Sequence, residues 1–135
     1  MPLGCVFICE KCKNMACFWV AILRRFKIPG VTNPSSLLAH LKQRNTMTPD
    51  VTWQGENLSA QQQRENFEWV RDYAPNQVNG GHFTSACDPF FCLLCQLFRV
   101  EIQHVYATVT LRYVPRTPSD PATVYTFRSN QSHMS

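Results

Sequence analysis

The segment PFFCLLCQLF, Pro89 to Phe98, is apolar on every side, and the chain that follows it, RVEIQHVYATVTLRYV, changes period. The first reads as a helix buried all round, opened by Pro89 at an early helical position with Asp88 as its cap. The second alternates through Val100, Ile102, His104 and Tyr106 and then Val109, Leu111 and Tyr113, the pattern of two strands joined by a tight turn. A helix without a polar face must be enclosed, so other elements have to pack around it.

The chain upstream supplies three more helices. Cys17 to Phe26 carries a broad apolar stripe through Phe18, Val20, Ala21, Ile22, Leu23 and Phe26, and Pro29 and Gly30 stop it. Asn33, Pro34 and Ser35 read as the cap of a second helix with Leu37, Leu38 and Leu41 on one face, ending near Asn45. Ser59 caps a third through AQQQRENFEWVRDYA, with Phe67, Val70 and Trp69 directed inward. Thr46 to Ser59, polar and mixed, reads as a connection, and PNQVNGG, Pro75 to Gly81, as a turn. Downstream, PRTPSDP, Pro115 to Pro121, is a loop by composition and ATVYTF a last strand before the polar tail RSNQSHMS. Helices first and strands last predict one α+β domain over residues 1–135, with helices packed on a small, mostly antiparallel β-sheet.

Composition narrows the function classes. With 44% hydrophobic and 16% charged residues the chain is ordinary for a folded protein. A net charge of +4, with Arg24 and Arg25 the only adjacent basic pair, argues against a nucleic-acid partner. No apolar run is long enough for a membrane span, and MPLGCVFICEKCK has no basic segment ahead of its apolar residues, so neither membrane association nor export is expected. Seven cysteines cannot all pair internally, which fits reduced thiols in a cytoplasmic setting.

The cysteines divide by placement. Cys5, Cys9 and Cys12 stand close enough to converge on zinc, with Cys17 or a histidine as the fourth ligand a structural site needs, but no metal or cofactor is assigned. A non-catalytic zinc-binding interaction module on those three is nevertheless an alternative reading. Cys92 and Cys95 form a literal CxxC inside the apolar helix, where buried cysteine packs as a small hydrophobe. Cys17 differs, because a helix start presents unpaired N–H groups and the positive end of the dipole, which favour a thiolate and a developing oxyanion. A cysteine nucleophile needs a base, normally histidine. His40 reads as a semi-exposed helix residue and His104 as a satisfied sheet residue. His82 in NGGHF and His133 in NQSHMS are the two candidates, and spacing alone leaves both open.

Asn14-Met15-Ala16-Cys17-Phe18-Trp19-Val20-Ala21-Ile22 resembles the ovarian-tumour (OTU) cysteine protease motif, in which Asp-Gly-X-Cys leads into an aromatic residue and an alanine-aliphatic pair. The downstream order is similar too. Gly80-Gly81-His82-Phe83, the helix Phe90 to Phe98, the strand Val100 to Val105 and the strand Thr123 to Phe127 precede Ser132-His133-Met134, which resembles the family's terminal His-Tyr. The distance from Cys17 to His133, 133 − 17 = 116 residues, suits a compact viral member.

The resemblance implies a deubiquitinase in which Cys17 is the nucleophile and His133 the base, with the Lys13, Met15 and Ala16 loop forming the oxyanion hole. It implies ubiquitin or a ubiquitin-like modifier as partner, no cofactor, a monomer, and the host cytosol as setting. Asn14 and Met15 replace the motif's aspartate and glycine, and Ser135 stands where the family has its third member. These departures predict a Cys-His dyad or help from Asn14, similar to the small plant tymovirus proteases that lack a full triad. The alternative enzyme reading is a papain-like viral leader autoprotease pairing Cys17 with His82, 82 − 17 = 65 residues apart.

Overall fold

The computed structural model describes residues 5–6, 16–78, 87–106 and 108–129, with residues 5, 6, 16 and 17 described by their backbone alone. In chain order the elements are β1 (Cys5–Val6), α1 (Ala16–Arg25), α2 (Pro34–Gln43), β2 (Val51–Trp53), β3 (Glu56–Asn57), α3 (Ala60–Asp72), a 3-10 turn (Pro75–Val78), α4 (Pro89–Phe98), β4 (Glu101–Tyr106), β5 (Val109–Pro115) and β6 (Val124–Ser129). The expected α+β class is what forms: among the described residues four α-helices pack on one sheet. No helix among the described residues is long and apolar enough to cross a membrane.

Three helix starts follow from their caps. The Asn33 side chain accepts from the Ser36 amide at 2.8 Å while the Ser36 hydroxyl takes the Asn33 amide at 3.1 Å, a reciprocal capping box with Pro34 at the first helical position. Ser59 and Gln62 repeat the device at α3. Buried Asp88 accepts from the amides of Phe90 and Phe91 at 2.8 and 3.1 Å and opens α4. The far end of α4 turns at Arg99, whose φ of 56° lets the chain enter β4 directly.

The sheet runs β1-β6-β4-β5-β2-β3. β4 pairs antiparallel with β5 and parallel with β6; β2 is antiparallel to both β5 and β3, and β1 is parallel to β6. Three of these five pairings are antiparallel, which matches the expected majority. The loop from β5 to β6 crosses the start of β4, where the Ser119 amide donates to the Arg99 carbonyl and the Glu101 amide to the Thr123 carbonyl, both at 2.9 Å.

One expectation needs revision. Thr46 to Ser59 is more than a connection: it contains the β2–β3 hairpin, turned at Gln54 and Gly55, both with positive φ. Its strands are too short to show a period, and their pairing partner, β5, lies more than fifty residues away in sequence.

One face of the sheet is covered. Ile102 and His104 of β4, Tyr113 of β5 and Phe127 of β6 point into the core, where Phe91 of α4 meets His104, Tyr113 and Phe127 at centroid distances of 5.4, 5.5 and 5.4 Å. The other face is polar: Glu101 accepts from Gln103 Nε2 at 2.8 Å and from Arg112 Nε and Nη2 at 3.1 and 3.0 Å. Burial of α4 is nearly complete, since Phe90, Phe91, Cys92, Leu93, Leu94 and Cys95 are all at or below 1% exposure. The all-round apolar sequence is thus enclosed by the sheet on one side and the other helices elsewhere.

Candidate active site

Cys17 lies in the first turn of α1, one residue after Ala16, which opens the helix. The stripe behind it explains why the chain is helical there: Phe18, Trp19, Ala21 and Ile22 are completely buried and Phe26 nearly so, the spacing of one helix face. Arg24 and Arg25 in the last turn complement the negative end of the dipole.

Ring contacts set the direction of α1. Near its start, Phe18 packs on Phe91 at 5.4 Å and Trp19 on Phe90 at 4.7 Å. Just past its end, Phe26 packs on Phe98 at 5.2 Å. α1 and α4 therefore run side by side in the same direction. Phe26 also meets Tyr125 at 4.8 Å, early in β6, while Phe91, the neighbour of Phe18, stacks on Phe127, later in β6. α1 thus runs opposite to β6, and its first turn faces the edge at which β4 and β6 finish.

That edge also holds a histidine. His104 Nε2 is hydrogen-bonded to the Ser129 hydroxyl on β6, and the ring packs between Phe91 and Tyr106, leaving 9% exposure. This is the satisfied sheet histidine that the alternation predicts. His40, half-buried on α2, has its pKa lowered by burial and then by the nearby Arg44.

Of the residues implicated by the sequence, Cys17 and Ala16 fall in α1. Lys13, Asn14, Met15, His82, His133 and Ser135, with Cys9 and Cys12, lie outside the described residues, and Cys5 is known from its backbone pairing with Thr126. Among the described residues no group of three or more histidine, cysteine or acidic side chains could hold a metal ion.

Cys92 and Cys95 are buried as expected of core thiols. Burial pushes Cys95 up to about 12 and holds Cys92 well above the ordinary thiol value, helped by Cys87. The CxxC spacing draws attention to the wrong pair, however. Cys92 has its sulfur 3.1 Å from that of Cys87, five residues earlier, and Asn66 Nδ2 of α3 reaches both at 3.7 Å. The missed signal is the cap: once Asp88 is the N-cap, Cys87 and Cys92 occupy the two positions that commonly fold together over a helix start.

An open cavity of about 370 Å³ lies along α3, lined by Glu65, Glu68, Trp69, Asp72, Tyr73 and Gln77. It borders the α1 region through Tyr73, whose ring is 5.8 Å from Trp19, two residues after Cys17. Asp72 is paired with exposed Arg71 at 2.9 Å, which lowers its pKa.

Comparison of the chain with protein-family models, with curated proteins and with solved structures finds no match.

Proposed function

We propose that this chain is an OTU-type cysteine protease that removes ubiquitin, or a ubiquitin-like modifier, by hydrolysing the isopeptide bond after the modifier's C-terminal glycine. The supporting observation is the opposed direction of α1 and β6. Cys17 lies in the first turn of the helix, at the edge where β6 ends, and Ser129, the last residue of β6, precedes His133 by four positions. The start of α1 and the end of β6 thus lie on the same side of the core.

In this reading the helix start favours the Cys17 thiolate, which attacks the glycine carbonyl. Amides of the Lys13 to Cys17 loop hold the oxyanion. His133 takes the thiol proton and returns it to the leaving lysine amine, with Asn14 or Ser135 orienting its ring. Water then attacks the acyl-enzyme with the same histidine as base, releasing the modifier. Ordinary peptide-bond hydrolysis of this kind requires no cofactor.

A ubiquitin bearing a C-terminal electrophile tests the proposal. Wild type should form a covalent adduct mapping to Cys17, and Cys17→Ala should form none. An unlabelled wild type, or equal labelling of both chains, would overturn it.

A further inference from the structure

Cys87 and Cys92 bracket the entry to α4. Cys87 precedes the Asp88 cap and Cys92 is the fourth helical residue, with its amide bonded to the Asp88 carbonyl at 3.0 Å. An apolar pair at these positions staples the incoming chain over the first turn. Here the staple is made of two thiols. Their sulfurs, 3.1 Å apart, stand about 1 Å beyond the length of a disulfide bond. The sulfurs also differ in access: Cys87 is half-buried, whereas Cys92 is completely enclosed. Asn66 directs its amide N–H at both, which is a donor for negative charge on either sulfur.

We propose that Cys87 and Cys92 are a redox-modification site that a peroxide closes into a disulfide. The accessible Cys87 sulfur, having given up its proton, attacks one peroxide oxygen; the O–O bond breaks, a sulfenic acid forms, and the departing hydroxide takes up that proton as water. The Cys92 sulfur then attacks Cys87, the S–O bond breaks, and the S–S bond forms. The proton from Cys92 leaves with the departing hydroxide as a second water. The pair loses two electrons in all, the peroxide gains them, and a thiol reductant reverses the change. Neither step draws on Cys17, so the site stands apart from the protease reading.

The test is peptide mapping of the folded full chain after brief hydrogen peroxide treatment, alkylation of remaining thiols, and cleavage before aspartate. Cleavage at Asp88 separates Cys87 from Cys92. Peptides 72–87 and 88–119 should appear joined, come apart on reduction, and stay joined in Cys95→Ser. The link should be lost in Cys87→Ser, whose half-buried position tolerates the change, and in Cys92→Ala. It should also form far more slowly in urea, where the staple is gone. Separate peptides in the oxidised folded chain would overturn the proposal, as would a link that persists in Cys92→Ala or forms equally fast in urea.

Discussion

Phe26 and Tyr125 meet edge to face, with ring centroids 4.8 Å apart and planes at 65°, and this contact ties the end of α1 to the beginning of β6. Phe26 also packs on Phe98, so one side chain joins helix, helix and sheet. Truncating it removes buried aromatic surface and leaves a cavity where three elements converge. Phe26→Ala should cost about 3 to 5 kcal/mol of unfolding free energy, and Phe26→Leu much less. Urea denaturation measures both, and a loss below about 1 kcal/mol for the alanine variant would show that the contact does not hold the layers together.

Asp88 and Ser59 do the same job in different surroundings. Ser59 caps α3 at the surface, whereas Asp88 is 2% exposed and bonds two amides that water cannot reach. Ser59→Ala should cost about 1 kcal/mol and Asp88→Ala about 2 or more, because buried donors are left without an acceptor. Equal losses in thermal or urea unfolding would contradict the difference in burial.

The core thiols predict alkaline sensitivity. Burial holds Cys95 protonated up to about 12, against 9.0 for a free thiol, and raises Cys92 and Tyr113 as well. A raised folded-state value contributes stability fully below the unfolded value and loses it as pH climbs through the folded one. Between pH 9 and about 12 Cys95 should lower stability by about 1.4 kcal/mol per pH unit. Cys95→Ala should flatten part of that slope, and alkylation of Cys95 in the native chain should proceed only as fast as the chain opens.

His40 predicts a weaker effect of opposite direction. Partial burial and then Arg44 lower its pKa, so the unfolded chain binds its proton first as pH falls. The neutral form's contribution is present above the unfolded value, 6.5, and is lost as pH drops through the folded one. Comparing urea midpoints at about pH 7.5 and about pH 5 should show a shallower decline in His40→Gln than in wild type. An identical decline would assign the acid sensitivity to other groups.

The two histidine candidates separate by activity. His133→Ala should abolish reaction with the ubiquitin electrophile while His82→Ala retains it, both with unfolding midpoints near wild type. The reverse pattern would favour the leader-protease pairing of Cys17 with His82.

Much of the architecture was legible in the residues themselves. Asn33, Ser59 and Asp88 mark helix starts because a short polar side chain before an apolar stripe meets loose amides, a local requirement that local sequence satisfies. Alternation through Ile102, His104 and Tyr113 names the inward residues of β4 and β5 because strand geometry has a period of two. The β2–β3 hairpin leaves no mark in the sequence because three- and two-residue strands carry no period, and their partner strand is distant in the chain. The Cys87–Cys92 pair was hidden for a related reason: the conspicuous Cys92–Cys95 spacing looks like chemistry, while the real neighbour lies across the cap.

Local sequence is enough to mark where helices begin, which strands alternate and that Cys17 falls in the first turn of a helix, because caps and periodicity act over a few residues. Long-range packing alone sets β6 beside β4 rather than β5 and turns α1 against β6. Those relationships depend on packing Phe18 on Phe91 and Phe26 on Tyr125, and contacts between residues so far apart in the chain leave no local pattern to read.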